Sequence, residues 1–279
     1  MEIGKAVKWM FLCTVCNLSA QNNYSFDFVV NTQPTENIKI NEVSFGVDYG
    51  KTFHSKYRIE NELKFNSKDI SYFNTDFSNS LTSYNEVRNK FVFRYFKSDK
   101  MHVNFKLEPY VASENNLKVS DVDLLGELNM DFILSPNKKL TVGASRNNFF
   151  GKPMVLPVFS YYYEYNKEVN LSIGFPESKL SYSNNIRNVF SIKNAFNGSV
   201  YNLENTSKSL ALNSTKSSFS QLTTSLEYER NMDSNWYVNF KMGYDFNREY
   251  LLLDTNYDTT FDFKIKDGCN FGLTIKYKH

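Results

Sequence analysis

The last nine residues, Phe271-Gly272-Leu273-Thr274-Ile275-Lys276-Tyr277-Lys278-His279, constrain this chain more than any other stretch. Phe271, Leu273, Ile275 and Tyr277 recur at every second position, with Gly272, Thr274, Lys276 and Lys278 between them. This is the period of a strand with one oily and one wet face. Cys269, Ile265, Phe263 and Phe261 continue the parity backwards with Asp267 as the exception, so one strand is predicted from about Phe261 to Tyr277. Strands of globular proteins have about five or six residues, whereas a strand crossing a bilayer needs about nine to eleven. Length therefore selects an all-β fold: a transmembrane antiparallel up-and-down β-barrel.

The same signature recurs along the chain. Tyr57, Ile59, Leu63 and Phe65 alternate with Arg58, Glu60, Glu62 and Lys64, with Asn61 the one polar interruption. Met101 to Val111, Val122 to Leu134 and Trp236 to Phe246 alternate in the same way against charged or amide residues. A soluble sandwich also alternates, but seldom with several strands of this length. Short turn-forming connections at Gly50 to Ser55, Lys97 to Lys100, Ser135 to Lys138, Asn166 to Glu168, Asn184 to Arg187 and Asn231 to Asn235 contrast with longer polar ones. The longer ones lie around Asn74 to Asn85, Ala112 to Ser120, Gly151 to Leu156, Asn205 to Ser217 and Asp254 to Thr259. Barrels pair short periplasmic turns with longer external loops. Including a first strand at Tyr24 to Val30 and short strands flanking Pro176, the expected count is about 14; without the first hairpin it is about 12. Both are even, which places the two termini at the periplasmic end.

Met1 to Ala20 reads as a signal peptide: Lys5 and Lys8 precede the apolar run Trp9 to Cys16, and Leu18-Ser19-Ala20 supplies a small-residue cleavage site. The expected organisation is a signal peptide over 1–20 and an exported barrel over 21–279. Loss of Lys5, Lys8 and Glu2 lowers the formal charge from +2 to +1, which leaves no electrostatic case for nucleic acid. Two of the three cysteines go with the signal, and Cys269 alone forms no internal disulfide. The aromatic content of 16% with a mean hydropathy of −0.47 fits a wall that averages a lipid face and a wet lumen face.

The chain's end resembles that of bacterial outer-membrane barrels, which carry apolar or aromatic residues at the third, fifth, seventh and ninth places from the end. Here those are Tyr277, Ile275, Leu273 and Phe271, while His279 replaces the usual final Phe or Trp. The resemblance implies that these four residues form the signal read by the barrel-assembly machinery, and that outer-membrane lipid surrounds the protein. The stretch Ile173 to Tyr182 is similar to a segment of an uncharacterised Bacteroidota family of outer-membrane barrels of unknown function. That similarity implies a fold and a compartment, not an activity.

No catalytic, cofactor or metal constellation stands out. His54, His102 and His279 lack metal-ligand spacing, and His102, the one candidate base for a barrel hydrolase, reads better as a solvated lumen residue. Cys269 falls on the lipid-facing parity. Functional content lies in charges expected to face the lumen: Arg88, Lys90 and Arg94 on one strand, Lys106 and Glu108 on the next, then Asp121, Asp123, Glu127 and Asp131. Paired, they make a rigid wall; hydrated, they line a narrow path for small polar solutes. The expected function is a narrow channel or transporter for small hydrophilic solutes, not an enzyme; the alternative is a non-conducting structural or adhesion barrel acting through its external loops.

Overall fold

The computed structural model describes residues 23–73, 83–204 and 213–279. The predicted signal peptide lies outside them, as do much of the Asn74 to Asn85 and Asn205 to Ser217 connections. The wall begins with β1 (Asn23–Pro34), β2 (Ile38–Phe53), β3 (Tyr57–Tyr72), β4 (Ser83–Ser98) and β5 (Met101–Glu114). A 3-10 turn (Val119–Asp121) precedes β6 (Val122–Ser135), β7 (Lys138–Asn147) and β8 (Met154–Glu164). Two short strands follow, β9 (Val169–Phe175) and β10 (Glu177–Asn185), then the long β11 (Asn188–Asn202), β12 (Lys216–Asn231) and β13 (Trp236–Leu253). A four-residue β14 (Thr259–Asp262) and the final β15 (Gly268–Lys278) complete the order.

Each wall strand pairs antiparallel with its neighbour, and β15 closes the ring between β13 and β1. Phe28 lies opposite Ile275, and Phe240 opposite Leu273, across the two closing seams. The result is a closed barrel of 14 strands, with β14 a short strand that folds back antiparallel on the end of β13, so the predicted first hairpin belongs to the wall. Closure pairs the strands around the whole ring and so spares most of the wall the unpaired edges that a lipid environment would penalise.

The oily parity points outward. Phe105 is 48% exposed, Phe240 54% and Leu226 59%, values a sandwich core would never show. Near the short-turn end this face carries rings: Tyr57 stacks on Tyr95, and Tyr277 meets Tyr24 and Trp236. Aromatic residues favour a membrane interface because one end of the side chain is apolar and the other tolerates water.

One expectation fails here. The strand predicted to run from Phe261 to Tyr277 is two pieces, β14 and β15, separated by residues 263–267. Asp267, the parity exception, marks the break, its carboxylate accepting the Arg248 backbone N–H at 3.2 Å. Upstream of it, Phe261, Phe263 and Ile265 pack against the buried cluster in the barrel mouth, leaving the lipid belt to β15.

The wall also departs from a regular cylinder. Because β10 is short, its ladder with β11 begins at Glu177 opposite Ala195, and the end of β11 beyond Phe196 has no β10 partner. That end reaches β5 instead: Asn202 pairs in parallel with Ser113, and its Nδ2 donates to the Ala112 carbonyl at 3.3 Å. The β7–β8 connection packs behind it. Ser218 Oγ donates to the Gly151 carbonyl at 2.6 Å, and Asn148 Nδ2 donates to the Tyr110 hydroxyl at 2.7 Å. Gly198 is required at this crossing, since a Cβ there would lie 1.9 Å from the Asn148 carbonyl oxygen.

Candidate functional site

The interior divides into three levels. At the long-connection end, inward residues of β2, β3, β4, β11, β12 and β13 form an apolar closure. Tyr84 and Tyr250 are fully buried, with Tyr201, Phe219, Ile70 and Leu252 beside them. Phe219 stacks on Tyr250 at 4.4 Å, and Tyr250 stacks on Phe263 at 3.9 Å. Ring pairs of this kind add about 0.5–1.5 kcal/mol each beyond their burial. The Tyr250 hydroxyl lies 2.9 Å from those of both Tyr72 and Tyr84, which satisfies polar groups that burial would otherwise leave costly. Tyr84, Tyr201 and Phe219 occupy parities that are wet elsewhere on their strands, whereas Tyr250 shares the oily parity of β13 and turns inward only after the register irregularity near Asn247.

Beneath the closure lies a charged chamber of about 470 Å³. Arg88 is its organising cation: Nη1 donates to Glu108 at 2.9 Å and Nη2 to Glu86 at 2.9 Å, while Lys106 lies 3.2 Å from Glu108. Lys90 pairs with Glu62. Lys64, Lys68 and Lys241 also line the chamber, and among the described residues no carboxylate lies within ion-pair distance of any of them. A second cavity of about 490 Å³ follows towards the short-turn end, lined by Ser25, Asp48, Arg58, Glu60 and Lys278 among others. Glu62 and Lys90 line both spaces, so their ion pair stands at the boundary.

The charges singled out in the sequence fall into three groups. Arg88, Lys90, Lys106 and Glu108 come together around the chamber. Arg94 and Asp131 lie closer to the short-turn end, and Glu127 stands opposite Lys106 in register: Arg94 Nε donates to Asn104 at 2.8 Å, Asn129 donates to Glu127, and Asp131 accepts from Thr141 at 2.6 Å and from Asn104 at 3.1 Å. Asp123 pairs with Arg146 at 3.2 Å, and Asp121 sits in the 3-10 turn before β6 instead of on a wall strand. Basic β4 and acidic β6 therefore do not pair as blocks; β4 cations find carboxylates on β3, β4 and β5. Phe271, Leu273, Ile275 and Tyr277 share the outer face of β15, and Cys269 is exposed on the same parity.

His102 meets the Phe96 ring edge-on at 4.8 Å, His279 stacks on Tyr24 at 4.8 Å, and His54 occupies the β2–β3 turn, so the three are not convergent. Among the described residues no group of three His, Cys, Asp or Glu is placed to hold a metal ion. Outside the membrane span, Lys266 holds the Glu36 carboxyl below its usual range across the outer connections. The backbone N–H groups of Asn235 and Trp236 hold Asp233 below its usual range in the β12–β13 turn.

Sequence reading missed Lys64, Lys68, Lys241, Glu62 and Glu86 as chamber residues. Period two gives each a face, but height along the barrel and identity across the lumen depend on register.

Similar architecture occurs among solved barrels. The P. putida toluene transporter TodX aligns at 9% identity and a TM-score of 0.48, covering 93% of this chain and 90% of its own. The NanC porin aligns at 5% identity and 0.43, covering 91% and 100%. The KdgM porin, solved in complex with disordered oligogalacturonate, aligns at 6% and 0.40, covering 91% and 98%. No curated protein matches the chain. Over residues 20–278 it matches the model of a domain of unknown function, DUF6268, and the chain belongs to that family.

Proposed function

We propose that the protein is a bacterial outer-membrane barrel, released from an N-terminal signal and assembled through its last strand, that admits small hydrophilic solutes through a lumen closed at rest. The carrying observation is the series of two cavities that share Glu62 and Lys90 in their linings, the first of them charged and capped by the Tyr84–Phe219–Tyr250 ring cluster. A structural barrel has no need of a 470 Å³ charged chamber with uncompensated ammonium groups inside it, since burying such groups is costly unless water or a solute reaches them. On this reading the short turns face the periplasm and the aromatic closure lies towards the outside.

Planar-bilayer recording tests the proposal. The wild-type barrel is expected to open rarely, and Tyr250→Ala together with Phe219→Ala to conduct steadily, because the pair removes the centre of the closure. A silent variant that remains folded by heat-modifiable migration overturns it. The same closure favours one second reading, a non-conducting structural or adhesion barrel acting through its outer connections; a silent opened variant would support that reading instead.

A further inference from the structure

We infer that the roof of the chamber is a binding site for the carboxylate of a small polyhydroxylated solute, with Lys68 as its main ligand and the Tyr201 hydroxyl as a second donor. This rests on the solute-conduit reading and names the class of solute.

Lys68 sits on the inner face of β3 and is only 9% exposed. Its Nζ lies 4.3 Å from the centre of the Phe219 ring and 5.2 Å from that of Tyr201, and it makes one long hydrogen bond, 3.3 Å, to Ser199 Oγ. An ammonium has three N–H donors, so two remain for something in the chamber. The neighbouring carboxylates are already committed: Glu42 accepts from Asn66 at 2.6 Å, and Glu86 is held by Arg88. Arg88, Lys90 and Lys106 in the same lining each touch a carboxylate, whereas Lys68, like Lys64 and Lys241, does not among the described residues, and of these three only Lys68 is buried under the aromatic closure.

Tyr201 supplies an independent indication. It is 1% exposed, it lines the same chamber, and its hydroxyl is buried with the Ser199 side chain nearby but no hydrogen bond of ordinary length among the described residues. Buried donors without partners are rare because each costs about 1–3 kcal/mol. A buried ammonium with N–H groups to spare and an unpartnered hydroxyl, meeting at one cavity wall, are complementary to an anion. Asn66 Oδ1 is buried without a donor in the same lining, which suits a hydroxyl group of the same solute. Phe219 and Tyr201, flanking the ammonium, keep water from screening it. A volume of about 470 Å³ lies within the range of small-molecule sites.

The test uses the full-length folded protein in detergent and two probes of matched size, glucuronate and glucose, with binding read by calorimetry. Wild type is expected to bind glucuronate at least tenfold more tightly than glucose. Lys68→Met should weaken glucuronate at least tenfold and leave glucose unchanged, while Lys68→Arg should retain most of the preference. Among the described residues Lys68 has no ion-pair partner to strand and its buried charge is costly in itself, so Lys68→Met is expected to fold. Tyr201→Phe, which removes only the hydroxyl, provides a second variant and should weaken glucuronate severalfold. Inorganic phosphate that competes supports capture of the anionic group itself; phosphate that fails to compete while glucuronate binds supports a carboxylate-bearing solute. Equal affinity for the two sugars, or glucuronate binding untouched in both Lys68→Met and Tyr201→Phe, overturns the site. Bilayer recording separates the two levels: glucuronate binding in a barrel that stays silent after opening keeps the site and removes the conduit, and conduction without anion preference does the reverse.

Discussion

Arg88→Met isolates the charge cluster that shapes the chamber. Arg88 makes three charge-assisted contacts, two to Glu86 and one to Glu108, and the side chains of the three residues are 23%, 6% and 9% exposed. Removing one member of a buried pair costs about 3–5 kcal/mol, chiefly because the other charge is stranded. Here Glu108 keeps Lys106 at 3.2 Å, so only Glu86 is stranded and the lower part of that range, about 3–4 kcal/mol, is expected. That is two to three powers of ten in the folding equilibrium. Reversible urea unfolding in lipid vesicles, followed by heat-modifiable migration, reads it directly. The double variant Arg88→Met with Glu86→Leu should recover most of the loss, as it strands nothing. A cost below about 1 kcal/mol for Arg88→Met, the level of a solvated pair, would mean that the chamber is open water, and the reasoning about Lys68 would fall with it.

Met242→Arg on the lipid belt, at a position 58% exposed, should cost about 2–4 kcal/mol if it lies near the bilayer midplane, as charged substitutions there do; the same urea titration measures it. Gly198→Ala forces a methyl group against the Asn148 and Phe149 carbonyl oxygens, 1.9 and 2.7 Å from the ideal Cβ. It should therefore release the β7–β8 connection, seen as new protease cleavage near Gly151 and a loss of about 1–3 kcal/mol. In the β12–β13 turn, two backbone N–H donors lower the folded pKa of Asp233. Its contribution is present above the unfolded value of about 4 and is lost as pH falls through the lower folded value. Asp233→Asn should flatten that acid limb of a stability-against-pH profile; an unchanged limb assigns it to other carboxylates.

The barrel was legible because lipid reverses the usual rule of burial. Once Phe271, Leu273, Ile275 and Tyr277 alternate with polar residues over more length than a globular strand uses, the oily side needs an apolar surround, and repetition at Trp236 to Phe246 and Val122 to Leu134 supplies the rest of the wall. Turn chemistry at Lys97 to Lys100 and Ser135 to Lys138 then fixes which strands are neighbours. Phe261, Phe263 and Ile265 share that parity yet leave the lipid face. Alternation states that residues share a face, not that the face remains in the wall, and these three turn into the mouth to stack on Tyr250.

Sequence by itself determined the strands, their two faces and the order of short and long connections, since each depends on residues within about ten positions of one another. Tertiary structure alone decided what meets across the lumen. Lys68 and Tyr201 are remote in the chain, and only the closed register of 14 strands, with β10 cut short and β11 leaning to β5, sets them over one chamber. Whether an inward lysine finds a carboxylate, an aromatic ring or open space depends on height and curvature, which no local pattern encodes.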